Sequence, residues 1–384
     1  MRLLEGIRVI ELGGGIAGSY ATKMFADYGA EVIKIEPPEG DETRRMAPYI
    51  GDVEGIDRSA VYLHNNTGKK SVVLDLNRES DRGSLKKLVA TAGIVVESFK
   101  PGVLASWGLG YEDLLAVQPR LVLTSVTAFG QDGPYADYEG SELIYYGMGG
   151  PMLGNGTADR EPLKLGGYMQ VYQTGNVAAL ATLGAYLVAE EQGEPSHVDV
   201  SGFEVGLTSP DRRTTFLVNY EFNGESSGRG DLLGGILPNG AFPADDGYVQ
   251  IMLTQAWLPR MLATIQDPDT TAYFAEVAAN PALFPRIETK EAIDAGMYPW
   301  LLSRTKEEAM EQAQEHKWPV TSINSPAEVI HNKHFAARGF FHTVDYPAVG
   351  PVTHMGAPFH VDAGWDIAPA PKLGADTDAV LGSL

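Results

Sequence analysis

Between residues 7 and 129 the sequence predicts an α/β fold, a parallel sheet with helices on both faces. Short apolar runs rich in Val and Ile recur there, and helical windows separate them. The runs are mainly apolar, as strands of a parallel sheet covered on both faces are. Glycines and prolines punctuate the boundaries between them.

Taken in order, Ile7–Leu12 (IRVIEL) reads as the first strand and Gly13–Gly15 breaks it. Ile16–Tyr28 is a helix with Gly29 at its C-terminal stop, and Ala30–Glu36 (AEVIKIE) is a strand ended by Pro37-Pro38. Ser71–Leu76, Ile94–Phe99 and Leu121–Phe129 repeat the theme. Two more helices are expected at Glu142–Met148 and Gln173–Glu191, the second apolar almost all round, as a buried helix is. Gly224–Gly240 is the most glycine-dense stretch and reads as a linker or a mobile loop. Tyr248–Leu253 and Ala256–Ile265 give a strand and a helix, and Lys306–Lys317 a charged amphipathic helix. The tail from Val349, with its Pro, Gly and short β runs, reads as a segment packing along a domain.

A chain of 384 residues has room for two domains. Its net charge of −21 disfavours phosphate backbones and anionic lipid, so any anionic ligand needs a local cluster of cations and N–H groups. With no cysteine, disulfides, thiolate metal sites and thiol nucleophiles are excluded. Glu5 and Glu11 interrupt what would be a signal peptide's apolar core, and Asn176–Val188 falls short of the ~20 residues that span a bilayer. A soluble, cytoplasmic chain is the expectation.

Gly13-Gly-Gly-Ile-Ala-Gly18 satisfies G-x-G-x-x-G after a strand and before a helix, and Glu36 ends the next strand where a ribose-binding carboxylate belongs. By itself this suggests a dinucleotide-binding turn and an NAD-dependent oxidoreductase, or simply a tight strand-to-helix connection. His331 and His334 lie three apart without a carboxylate pair at ligand spacing, so no metal is expected. Neither a G-x-S-x-G elbow nor a phosphate-binding P-loop is present.

The run LLEGIRVIELGGGIAGSYATKMFADYGAEVIKIEPPEGDETR, from Leu3 to Arg44, resembles the opening of the class III CoA-transferases, the group of formyl-CoA and carnitine CoA-transferases and α-methylacyl-CoA racemases. The likeness continues through Asn65–Leu76, Ile94–Leu114, Pro119–Ile144, Val198–Glu204, Phe242–Ile251, Ser325–Phe341 and Leu373–Leu381. The resemblance implies a large Rossmann-like domain formed by residues 1–200 and a return segment 326–384. A linker, 201–224, leads into a smaller α+β domain, 225–325. It also implies an interlocked dimer and coenzyme A, not NAD, against the first glycine turn, with no metal. Ile16, Ala17, Lys69, Lys70, Ser98 and Lys100 are the implied CoA-binding residues, and Arg44 and Arg45 are outlying candidates. Gly234 and Gly235 belong to a glycine loop that in the family closes over the thioester. Pro37-Pro38 and Ser106 stand where some relatives carry arginines, and Ser98 where relatives often have Asn.

The family's nucleophile is an aspartate in a segment reading roughly G-x-x-x-x-D-x-x-T-G. Here that segment is Gly166-Gly-Tyr-Met-Gln-Val171-Tyr-Gln-Thr174-Gly175, and Val171 holds the aspartate's place. No Asp or Glu occurs between Pro162 and Gly184 to replace it. The racemase branch's histidine is also missing, with Ser141 in its position. Three readings stay open: a silent subunit whose homologous partner carries the aspartate, as in benzylsuccinate CoA-transferases; another carboxylate, Glu139 or Glu142, acting as nucleophile; or a CoA-ester-binding or scaffold chain without turnover. The first is the expectation, with succinyl-CoA and an aryl-substituted succinate as the exchanged pair, a chemistry of anaerobic aromatic degradation.

Overall fold

A computed structural model describes residues 2–157, 159–208, 212–225, 236–362 and 365–384. The chain divides into two compact units, one formed by residues 1–155, 162–228 and 336–384, the other by residues 156–161 and 229–335.

The first unit is built on six parallel strands: β1 (Arg8–Leu12), β2 (Glu31–Glu36), β3 (Lys70–Val73), β4 (Ile94–Glu97), β5 (Val122–Thr127) and β6 (Ser196–Ser201). Their spatial order is β3-β2-β1-β4-β5-β6, so the chain reverses direction across the sheet beside β1. The crevice at such a switch, beyond the strands' C-terminal ends, is where ligands bind in open α/β sheets. Helices α1 (Ile16–Asp27), α2 (Ala60–Asn65), α3 (Glu79–Val89), α4 (Val103–Ser106), α5 (Tyr111–Leu115), α6 (Glu142–Met148), α7 (Met169–Gln192) and α8 (Gly202–Thr208) connect or follow them.

Both faces of the sheet are covered from β1 to β5, which accounts for the mainly apolar strands. Ile10, Ile33, Val95 and Leu123 pack on one face against Leu85, Leu88 and Leu114 of α3 and α5. Val9, Val32, Ile94 and Val122 pack on the other against Phe25 of α1 and Ala178 and Ala189 of α7. The predicted α/β class is the observed one. β6, unmarked in the sequence reading, pairs with β5 from Val122↔Ser196 to Thr127↔Ser201. Its polar alternation, Ser-His-Val-Asp-Val-Ser, is that of an edge strand buried on one side.

Helix α7 departs from expectation twice. It begins at Met169, which places Val171 in its first turn. It is also not buried all round, since Leu180 is 74% and Leu187 54% exposed.

The antiparallel hairpin β10 (Phe341–Tyr346) and β11 (Gly350–Met355) adds Val344 and Tyr346 to a small core with Tyr62, Leu63 and Ala370. The tail then runs back to the sheet, where Asp376 accepts from the Ser71 N–H and Thr377 Oγ1 from the Val73 N–H.

The second unit has an antiparallel sheet of β7 (Asn239–Ala244), β8 (Gly247–Met252) and β9 (Val320–Ser322). Its core joins Val249, Ile251, Met261, Phe274, Met297 and Trp318, so helices cover one face of this sheet.

Candidate functional site

The site starts at the turn after β1. Gly13 and Gly15 have φ of 87° and 86°, a region that suits glycine. A Cβ on Gly13 would stand 2.7 Å from Ser98 Oγ, so this backbone must be bare to lie against the loop after β4. Ser98 fastens the two together, its Oγ donating to the Gly14 carbonyl at 2.7 Å. Helix α1 then opens at Ile16 with Gly15 as its cap and no side chain accepting from its first N–H groups. Those N–H groups carry the partial positive charge of a helix N-terminus.

Two cavities flank the turn and share Gly14, Ser98, Phe99 and Lys100 in their walls. The larger, about 670 Å³, extends past the ends of β2 and β3 to Asp75, Asn77 and Trp107. The smaller, about 250 Å³, lies between Gly14–Gly18, Phe129, Tyr138, Gly140 and the start of α7. Ile16 and Ala17 line the smaller cavity.

Val171 and Thr174 are the α7 residues that wall the smaller cavity. Their neighbours are engaged elsewhere: Gln170 donates to the Gly202 carbonyl at 2.8 Å, and Tyr172 packs edge-on against Tyr20 and accepts from Asn65 Nδ2 at 3.4 Å. A hydrocarbon side chain, Val171, therefore forms the cavity wall at the first turn of α7. Among the residues lining this cavity Glu139 is the sole acid, and it is ion-paired with Lys100, both being well exposed. Glu142 is buried at the start of α6, bound to Lys164 at 2.7 Å, and does not line the cavity. Ser141 precedes α6 as its cap residue.

The cations singled out in the sequence are not gathered around an anion. Lys69 is buried, its Nζ held by Glu11 at 2.8 Å, the Ser19 carbonyl at 2.7 Å and Asn66 at 2.9 Å. Burial pushes its ammonium down to about 8 against the pull of Glu11. Lys34, with no exposed surface, completes this network by bridging Glu11 at 2.6 Å and Asp41 at 2.7 Å. Burial alone would raise Glu11, but the two ammonium groups hold its carboxyl far below the usual carboxylate range. Lys70 pairs with Glu31 at 2.5 Å. Neither Lys69 nor Lys70 lines either cavity, so their reading as diphosphate ligands finds no geometric support.

Arg44 is buried over the Tyr62 ring at 3.7 Å and grips both oxygens of Glu36, at 2.7 and 2.8 Å. Ser71 Oγ and the Asp41 N–H add further bonds to the same carboxylate. With its acceptor sites filled in this way, Glu36 has little left for a ribose, and the dinucleotide reading loses its acidic partner. Arg45 donates to the Glu39 and Gly40 carbonyls. Gly234 and Gly235 lie outside the described residues. Sequence reasoning passed over Glu42, Asp75 and Trp107, which line the larger cavity. Glu42 stood within the GDETR run quoted above, and its acidic character beside the glycine turn was the available signal.

The family model described as "CoA-transferase family III" matches residues 4–377. The chain belongs to that family. It is 33% identical over 399 residues to the "Succinate--glutarate CoA-transferase" of Agrobacterium fabrum, a match covering 99% of this chain and 95% of that protein. It is 29% identical over 385 residues to the "Succinyl-CoA:(R)-benzylsuccinate CoA-transferase subunit BbsE" of Thauera aromatica, covering 97% of this chain and 92% of the relative. Among solved structures, a CAIB/BAIF family protein from Brucella suis superposes with a TM-score of 0.83 at 30% identity, covering 100% of this chain and 99% of the other. Class III CoA-transferases act on CoA esters. Among the described residues no group of His, Asp and Glu side chains stands at metal-binding spacing, and no helix is long and apolar enough to cross a membrane.

Proposed function

We propose that this chain is the non-nucleophilic subunit of a class III CoA-transferase, working in the cytoplasm beside a homologous chain that carries the aspartate. In such an enzyme the partner's carboxylate attacks the acyl-CoA thioester, forming a mixed anhydride and releasing the thiolate of CoA. The thiolate returns to the enzyme carbonyl, expelling the donor acid and leaving an enzyme-bound CoA thioester. The acceptor's carboxylate then takes the acyl position by the reverse steps. We assign succinyl-CoA as donor and an aryl-substituted succinate as acceptor. This is supported by the names of the relatives, one of which is called a subunit of a succinyl-CoA:benzylsuccinate enzyme.

Val171 carries the reading. Its position in the first turn of α7, in the wall of the smaller cavity, is where acyl capture would start, and a valine has no lone pair with which to start it. The bare face of α7 supports a partner: Leu180 and Leu187, seven residues apart and on one side of the helix, are largely exposed. Coexpression with the homologous chain, followed by a CoA-transfer assay on each component and on the pair, tests the proposal. Turnover is expected from the pair alone, and activity of the isolated chain overturns it.

One observation favours a second reading, in which Glu139 supplies the carboxylate, since it faces the same cavity as Val171. In that case the isolated chain transfers CoA and Glu139→Gln abolishes the activity.

A further inference from the structure

Behind the loop that both cavities share, a row of polar side chains crosses the sheet. Glu97 ends β4 directly opposite Ser125 of β5, and both are buried. The Glu97 carboxylate accepts from the Phe99 N–H at 2.8 Å and from the Ser125 hydroxyl. Ser125 Oγ also stands 2.9 Å from Nε2 of His197 on the edge strand β6, where the Tyr111 ring stacks over the imidazole. A hydrogen-bonded chain thus joins an exposed histidine to the backbone of the Ser98–Lys100 loop. All three residues of that loop line both cavities, and Ser98 pins its near end to the Gly14 carbonyl. Glu97 itself lines neither cavity, so its carboxylate reaches a ligand only through the loop.

We propose that Glu97 positions the Ser98–Lys100 loop for a CoA ester, and that its carboxylate, through Ser125, holds His197 in the Nε2–H form. The hydrogens available dictate the second part. An ionised carboxylate only accepts, and a serine hydroxyl has one hydrogen to give. Ser125 spends that hydrogen on Glu97, so the hydrogen between Ser125 and His197 comes from the imidazole. Burial pushes the His197 ring down, against the pull of Asp199, so it is neutral at about pH 8 and a single tautomer completes the chain. Burial raises the Glu97 carboxyl against its two hydrogen bonds, and Asp199 adds to the rise. Asp199 is itself held by the Gln131 N–H, which donates to its Oδ2 at 2.8 Å. The inference rests on the subunit reading for its ligand, whereas the tautomer of His197 is independent of that reading.

Nitrogen NMR of the full chain, isotope-labelled at histidine, reads the tautomer at about pH 8, with His197→Gln identifying the signal. The unaltered chain should show Nε2–H. In Glu97→Gln the carboxamide oxygen keeps the Phe99 N–H while its amide nitrogen donates to Ser125. The serine hydrogen is then free for His197, which should shift to Nδ1–H. Glu97→Ala should speed amide exchange at Phe99 and raise the KM of the reconstituted pair for succinyl-CoA about fivefold, with kcat within about twofold. Glu97→Gln should restore both exchange and KM. Nδ1–H in the unaltered chain, or no shift in Glu97→Gln, overturns the link to His197. Exchange or KM unmoved by Glu97→Ala, or a KM raised equally by Glu97→Gln, overturns the positioning role. A pair without turnover overturns the subunit reading, and the tautomer and exchange measurements then decide this inference by themselves.

Discussion

Gly175 of α7 meets Ala17 of α1 so closely that a Cβ on Gly175 would stand 2.8 Å from the Ala17 carbonyl oxygen. Val171 lies one helical turn earlier on the same side of α7, so this crossing fixes how far its side chain stands from the glycine turn. The Gly175→Ala variant must push the helices apart or strain both. We expect a stability loss of about 1–3 kcal/mol, the ordinary cost of overpacking, read as a lowered urea midpoint at unchanged slope.

Val171→Ala separates a packing role from a chemical one. Val171 is half-buried, and trimming it should cost about 1 kcal/mol of stability. Transferase activity of the complex should stay within about twofold of the unaltered enzyme, because no bonding electrons are lost. Steady-state assays of the reconstituted pair check this, and a collapse in turnover would give Val171 a part in the chemistry.

Leu180 and Leu187 predict a different outcome. Both are more than half exposed, so Leu180→Glu should barely change the stability of the isolated chain, within about 0.5 kcal/mol. In the complex it should weaken association strongly, by placing an unpaired charge in an apolar interface. Light scattering after size-exclusion chromatography of the pair distinguishes the two effects.

Two stacked histidines, His64 half-buried and His354 buried, make the fold sensitive to acid. His64 and His354 stack with ring centroids 6.4 Å apart and planes 9° from parallel, and His354 shares a hydrogen bond with the Tyr346 hydroxyl at 3.0 Å. Burial, reinforced by Lys23, pushes them down to about 3 and about 4. Both folded values lie below the unfolded one near 6.5, so below that pH the unfolded chain binds protons that the folded chain refuses. Stability should therefore fall as pH drops below about 6.5, by up to about 1.4 kcal/mol per pH unit for each histidine. Denaturation midpoints between about pH 7 and 5.5 read this slope together with the contribution of His197, which burial also pushes down. His64→Gln should make the slope shallower.

Val- and Ile-rich runs made the strands up to β5 readable, because strands covered on both faces are dominated by apolar residues even where Glu11, Lys34 and Glu36 interrupt them. β6 escaped notice since an edge strand keeps polar residues on its wet side, and Ser196, His197 and Asp199 hid its pairing. The start of α7 was misplaced for a related reason: Met169–Tyr172 has no side-chain cap to announce a helix. At the site, residue types could be named but their commitments could not. Lys69, Lys70 and Arg44 look alike in sequence to free cations, and only the fold shows Glu11, Glu31 and Glu36 beside them. Val171 was the exception, since a valine is inert toward a thioester wherever it sits.

The grip of Arg44 on Glu36 bears on any attempt to redesign this turn as a nicotinamide site. Such a redesign would ask Glu36 to hold two sugar hydroxyls, and the obvious first step is to delete the arginine. That would strand a carboxylate with no exposed surface, at a cost of about 3–5 kcal/mol typical of a broken buried pair. Tyr62, stacked beneath the guanidinium, would lose its cover as well. Redox chemistry is thus not one substitution away from this scaffold, however close its glycines bring it on paper.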